Sequence, residues 1–274
     1  MSEAVRLNPG VPAALELGVI LLLSWLAFAA APFLTGEYGL SWDTLNHHIY
    51  LGWTADAPRF DLDVLAASYQ VYQFPYLYWP VYKLAIAGAS GTQAGVVLAG
   101  LHVLAVPPVW MVARECLPGR GWFDAGMRAL AVALAFMTGV VISLFGQPAN
   151  DLLAAVPLLW ALALALTLFP ERGFTQRRVV TLVLASGALA GVSVAFKLSN
   201  GPLVVLLPLL WLMAPGSWPR RLTLVVAGGL AALIAFGLTY GYWGWQLWTH
   251  FGNPFFPFFD AWFDPLRATL GWKP

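Results

Sequence analysis

The chain is poor in charge. Only 10% of its 274 residues are Asp, Glu, Lys or Arg, while 60% are hydrophobic; a soluble domain gives about a quarter of its residues to charge. That shortage excludes an ordinary water-facing surface and marks a membrane protein. Cysteine is nearly absent, and Cys116 alone excludes an internal disulfide framework and a thiolate cluster for zinc or iron. Neither sign of charge is in excess, with 14 Lys plus Arg against 13 Asp plus Glu. The basic field that nucleic acid requires is therefore missing, and nucleic acid is not an expected partner. Repeats and low-complexity linkers are also missing, so 1–274 reads as a single transmembrane domain.

What the chain has is apolar runs long enough, at about 20 residues, to span a bilayer. They fall near 13–34, 92–113, 127–146, 152–169, 179–196, 202–214 and 223–246. The expected fold class is all-α, a polytopic transmembrane helix bundle of about seven spans with interfacial helices in the first outer loop. The sixth run is short, so it begins within KLSNG (197–201), tilts, or is re-entrant. The first run follows Arg6 and contains AFAAAP (27–32), features of a signal peptide. It exceeds the roughly 7–15 residues of a signal core, so an uncleaved first helix is expected. Segment 74–88, interrupted by Pro75 and Pro80, reads as an interfacial helix.

Arginine placement sets the orientation. With the N-terminus cytoplasmic, Arg6, Arg114, Arg120, Arg128, Arg172, Arg177, Arg178, Arg220 and Arg221 lie inside. Arg59, Lys83, Lys197, Arg267 and Lys273 lie outside. This is the bias of the positive-inside rule, and it turns the long connections, 35–91 and the C-terminal segment 247–274, to the outer face.

The polar chemistry gathers there. On a helix, SWDTLNHHIYLGW places Asp43, Asn46, His47 and Tyr50 on one face and Trp42, Leu45, Ile49 and Trp53 on the opposing stripe, an amphipathic surface helix. The bland reading is that Ser41 caps this helix and Asp43 complements its dipole. Asp43 and His47 could supply two metal ligands, but His48 points about 100° away and nothing completes a site. Asp151, in GQPANDLLAA, begins the fourth helix, where Asn150 would cap and Asp151 would again suit the dipole. Lys197 ends the fifth helix, where it either snorkels or, with Ser199, Asn200 and Gly201, offers donors to a phosphate. Arg59 and Lys83 are further cations of the first outer loop. His102 lies inside the second span, an intramembrane ionisable group whose bland reading is a neutral ring bonded to a helix carbonyl. In the aromatic segment 241–266, Asn253 and Pro254 break the helix, and the Phe run beyond either joins an interfacial belt or walls a site.

Three of these stretches, WDTLNHHIY after the first helix, GQPANDLLAA before the fourth and GNPFFPFF after the seventh, with GALAGVSVAFKLSNG as a weaker fourth, resemble the GT-C superfamily of polytopic membrane glycosyltransferases. The resemblance implies transfer of a sugar from a polyprenyl-phosphate donor, itself a membrane lipid, to an acceptor of unknown identity at the outer face of the bacterial inner membrane. By position it implies Asp43 and Asp151 as the catalytic acids. Asn46, His47, His48, Tyr50, Arg59, Lys197 and Asn253 become substrate-binding candidates. It also raises a divalent cation, Mg or Mn, on Asp43 and Asp151. Two departures bear on this. Thr44 stands where related first loops carry a second acid, and family members run well beyond 274 residues, so the chain is expected to be an N-terminal portion. The alternative is a non-catalytic membrane protein, a transporter or flippase subunit or an assembly partner, in which intramembrane groups such as His102 would matter more than loops.

Overall fold

The computed structural model describes residues 10–35, 42–63, 66–168 and 173–272. The fold is all-α. Helix α1 (Ala13–Thr35) is apolar except for Glu16 in its first turn and a few small polar residues. A π-helical turn, Thr44–His48, runs directly into α2 (Ile49–Thr54). A short extended segment, Ala66–Tyr69, and two 3-10 turns lead to α3 (Trp79–Ile86), a short helix within the segment 74–88. Helix α4 (Gly91–His102) starts at a reciprocal cap, in which Ser90 Oγ accepts from Gln93 N and Gln93 Oε1 accepts from Ser90 N. A 3-10 turn joins it to α5 (Val106–Cys116), which has prolines in its first turn where no backbone donor is lost.

Helices α6 (Trp122–Phe136), α7 (Gly139–Leu144) and α8 (Asn150–Leu166) follow, then α9 (Gln176–Phe196). Two short pieces, α10 (Gly201–Val204) and α11 (Leu207–Trp211), precede α12 (Trp218–Phe251), and α13 (Asp260–Thr269) closes the described chain.

Among the described residues four helical stretches are long and apolar enough to cross a membrane: Ala13–Leu34, Gly91–Cys116, Gln176–Phe196 and Trp218–Phe251. This fits a multi-pass membrane protein, with fewer full-length spans than the seven apolar runs of the sequence. The reasons are local. Run 127–146 is divided where α6 ends and Thr138 caps α7 by accepting from Val141 N. Run 152–169 yields a helix of 17 residues. Run 202–214 is broken into short pieces around Pro208, which lacks the amide that would bond back to Val204, whereas Pro202 stands in the first turn of α10, where no donor is lost. Exposed apolar side chains such as Leu233 and Leu238 on α12 and Leu22 and Leu23 on α1 form the surfaces that such spans turn to lipid.

Helix α9 is the centre of the packing. Gly187 and Gly191 lie so close to α12 that a Cβ on either would come within 2.1 Å of Gly228 O or 2.0 Å of Ala232 O. Backbones approach this closely only where side chains are absent, the small-residue logic of helix pairs in membranes. On its other side Ser186 Oγ donates to Ala161 O at 2.8 Å and Ser193 Oγ to Ala154 O at 2.9 Å, tying α9 to α8. Trp211 Nε1 donates to Ser186 Oγ, which docks α11 on the same helix. Each such bond in lipid contributes about 0.6 kcal/mol. The consequence is a fixed height for Lys197, the residue that ends α9.

At the other end of the bundle, Glu16 is buried and accepts from Arg128 Nε and Nη2 and from Trp110 Nε1. Arg128 Nη1 donates further to the carbonyls of Leu117 and Gly119. This cluster joins α1, α5 and α6. His102 is fully buried, and among the described residues neither ring nitrogen has a hydrogen-bond partner, so the expected bond to a helix carbonyl is not made there.

Candidate functional site

A cavity of about 260 Å³ opens where α8 begins, α9 ends and the turn before α2 crosses them. Asp43, His47 and His48 come from that turn, Asn150 and Asp151 from the start of α8, and Lys197 and Ser199 from the end of α9. Three stretches singled out in the sequence, separated by some fifty to a hundred residues, thus meet in one place. Because α8 and α9 are antiparallel neighbours, the start of one and the end of the other share a level.

The amphipathic segment lies as expected in one respect: Trp42, Leu45, Ile49 and Trp53 are exposed. Its buried face differs. Thr44, His47, His48 and Leu51 point inward, a face turned by about one residue, ~100°, from the predicted Asp43–Asn46–His47–Tyr50 set. His48, expected to point away, is therefore in the cavity. Its ring stacks on Tyr78 at 4.7 Å and meets the His47 ring edge-on at 4.4 Å. Among the described residues neither Nδ1 has a hydrogen-bond partner. Burial pushes His48 down to about 3, with the His47 ring adding to the fall and Asp151 opposing it. Burial also lowers His47, against a smaller upward pull from Asp43, whose Oδ1 is 3.8 Å from His47 Nδ1. Both rings are neutral at pH 7, so they can exchange hydrogen bonds but carry no charge.

Asp43 is half-exposed and lines the cavity, and among the described residues its carboxylate accepts no hydrogen bond. The cap proposed for its helix, Ser41, lies outside the described residues. Asp151 sits in the first turn of α8, where the dipole favours it, and it accepts a hydrogen bond from Lys197 Nζ. Asn150, expected to cap this helix, is instead its first helical residue; the capping position is Ala149 and no side chain fills the role. The Asn150 side chain is buried on the cavity wall.

The remaining candidates are not brought into the cavity. Arg59 pairs with Asp63 at 2.6 Å and lies over the Trp53 ring at 4.4 Å. Tyr50 donates to the same Asp63 at 3.0 Å, and its hydroxyl is pushed up to about 12 by burial and by that carboxylate. Lys83 pairs with Asp56. Asn46 acts one step removed, donating to Gln70, a lining residue. Asn253 is a turn builder: its Oδ1 accepts from Phe255 N, and its Nδ2 donates to Phe258 O and Asp260 Oδ1. Arg267 grips Asp260 and Asp264 from α13. With Gly252 in the left-handed conformation at the end of α12, this turn folds the Phe run back, so that Phe256 and Phe258 line the cavity with Phe74 and Tyr240.

Sequence reading missed Gln70, Gln73, Tyr78 and Tyr240 as lining residues. Tyr78 lay in a segment read only as interfacial; its one signal was a phenol flanked by Pro75 and Pro80. As to metal, carboxylate oxygens suit Mg or Mn, but the Asp151 oxygen is held by Lys197 and the Asp43 carboxylate lies 3.8 Å from an imidazole nitrogen of His47. Among the described residues no three His, Cys, Asp or Glu side chains form a group, and this donor set is a poor fit to such a cation.

Neither protein-family models, nor curated proteins, nor solved structures give a match to the chain. The reading of the site rests on its own geometry.

Proposed function

We propose that the protein is an integral membrane glycosyltransferase of the GT-C type, which moves a sugar from a polyprenyl-phosphate donor to an acceptor hydroxyl or amine at the outer face of the bacterial inner membrane. The N-terminus is then cytoplasmic, and the ends of α1, α9 and α12 face out. The observation that carries this reading is the meeting of Asp43 with the Lys197–Asp151 pair in one cavity at the end of apolar helices. A lipid-borne donor needs its reacting carbon at bilayer-surface height, next to a base and a cation.

The roles follow from the chemistry. The carboxylate of Asp43 takes the proton of the attacking group, while a bond forms from acceptor oxygen or nitrogen to the anomeric carbon. The bond from that carbon to the phosphate oxygen breaks, and the phosphate leaves with the electron pair. Lys197, a cation at the cavity wall, stabilises the charge as it develops, and Asp151 holds the ammonium in position. The neutral rings of His47 and His48, the amide of Asn150 and the hydroxyl of Ser199 suit the hydroxyls of a sugar. Phe256 and Phe258 supply an apolar wall against lipid tails. The test is turnover of a radiolabelled polyprenyl-phosphate sugar by the purified chain in detergent. Loss of transfer in Asp43→Asn with an unchanged melting temperature supports the reading; full activity in that variant removes Asp43 from the mechanism.

A further inference from the structure

A second recess, of about 450 Å³, lies between the end of α5, the end of α8 and the start of α9. Arg114, Arg120 and Arg178 line it, with Trp110 and Thr167 on its walls and Glu115 the carboxylate of its lining. Among the described residues none of the three guanidiniums has a hydrogen-bond or ion-pair partner. Arg114 lies over the Trp110 ring at 5.2 Å and Arg178 over the Phe174 ring at 4.3 Å. Such stacking fixes the plane of a guanidinium and leaves its N–H edge free. The recess thus presents two oriented sets of donors and a third guanidinium, that of Arg120, against one carboxylate.

Its height points to the occupant. Arg178 and Lys197 mark opposite ends of α9, and at 1.5 Å per residue they are about 28 Å apart along the axis, the thickness of a bilayer's hydrocarbon core. When the first cavity is at one membrane surface, the arginine recess is at the headgroup level of the other. Trp122 and Phe123, close in sequence to Arg120, are strongly exposed, as aromatic side chains are at that depth. We infer that this recess binds the phosphodiester headgroup of an anionic phospholipid, with the guanidiniums on the phosphate oxygens. The inference is independent of the glycosyltransferase reading.

The test uses the full chain in neutral detergent, titrated with phosphatidylglycerol, with phosphatidylcholine and with inorganic phosphate, bound ligand being counted by native mass spectrometry. Phosphatidylglycerol is expected to bind at least tenfold more tightly than phosphatidylcholine. The triple variant R114Q/R120Q/R178Q is expected to lose on the order of a hundredfold of that affinity. R220Q/R221Q, which removes two arginines at the start of α12, is expected to lose less than threefold. If the triple variant does not fold, R114Q and R178Q singly are each expected to bind about fivefold more weakly. Equal binding of phosphatidylcholine, retained affinity in the pocket variants, or an equal loss in R220Q/R221Q overturns the site. Binding of inorganic phosphate as tight as that of phosphatidylglycerol overturns the lipid assignment.

Discussion

Lys197, the residue that ends α9, donates a hydrogen bond to Asp151 in the first turn of α8. The pair closes the site by joining two helices that are already bonded through Ser193 and Ala154. Both members stay partly exposed, so the link is worth little to stability, about 0–1 kcal/mol. Its value is positional: the carboxylate holds the ammonium at the cavity wall.

Charge at Lys197 is therefore expected to matter far more to turnover than to folding. Lys197→Gln should lower transfer from a polyprenyl-phosphate sugar by about 10²–10³-fold, the usual effect of losing one group that stabilises a leaving charge. Lys197→Arg should recover part of it. Asp151→Asn, which keeps the size but frees the ammonium, should cost less than Lys197→Gln. The melting temperature of all three should stay near that of the parent. A Lys197→Gln protein with parental turnover removes this residue from the chemistry.

His48 makes a pH prediction. Its folded value is pushed down to about 3, against about 6.5 in an unfolded chain. Below pH 6.5 the unfolded chain takes up a proton that the folded protein refuses. Stability is thus complete above that pH and is lost as pH falls toward 3. At pH 4.5 the loss is on the order of 3 kcal/mol. Thermal melts between pH 7.5 and 4.5 should show a falling midpoint, and His48→Gln should reduce the decline, leaving the part due to His47, which burial also lowers. This window lies above the range in which the carboxylates of Asp56, Asp63 and Asp260, all lowered by cationic partners, begin to protonate. A parental slope in His48→Gln assigns the decline to other groups.

The close contact of α9 with α12 carries a third expectation. Gly187→Ala or Gly191→Ala puts a methyl group against a backbone carbonyl, so the two helices must move apart. A cost of about 1–3 kcal/mol follows from overpacking of this kind. Gly237→Ala on α12, where a Cβ meets nothing within 4 Å, should cost nothing. Melting temperatures of the three variants decide between a tight pair and a loose one.

The sequence carried the composition of the bundle and the polar stretches of the cavity plainly, and packing much less well. Asp43, Asp151 and Lys197 were legible because ionisable residues stand out in an apolar chain. Arg59 stood out equally and proved to serve Asp63, since charge alone does not show which neighbour claims it. The inward turn of His48 depends on the π-helical turn Thr44–His48, and a pattern based on 3.6 residues per turn cannot foresee it. The count of about seven spans is not confirmed for a similar reason: hydropathy registers Pro208 as an ordinary member of an apolar run, whereas the helix is interrupted there. GALAG (187–191) did carry a readable signal, small residues four apart in an apolar helix, and it marks the α9–α12 contact.

The buried pair of Glu16 and Arg128 should behave asymmetrically. Arg128→Met leaves a carboxylate buried with only Trp110 as donor, and roughly 3–5 kcal/mol should be lost. Glu16→Met in the same chain removes the stranded charge, so the double variant should recover most of that loss, as apolar replacements of buried pairs often do. A double-mutant cycle on melting in detergent reads the coupling directly. Additive losses would mean that the two side chains do not depend on each other.

His102 separates the catalytic reading from the transport reading. The ring is fully buried, and both nitrogens lack a hydrogen-bond partner among the described residues. A polar group in that state costs about 1–3 kcal/mol relative to an apolar one of similar size. If His102 only fills space between α4 and its neighbours, His102→Leu should raise the melting temperature and leave sugar transfer unchanged. A proton or solute pathway through the bundle would instead depend on an intramembrane ionisable group, and the same variant would lose function while staying folded. Asp43→Asn should show the reverse pattern, with transfer lost and stability kept. Because the two residues lie on different elements and do not share the cavity lining, each variant reports on its own site. Loss of activity in His102→Leu together with full activity in Asp43→Asn would move the function from the cavity of Asp43 into the span.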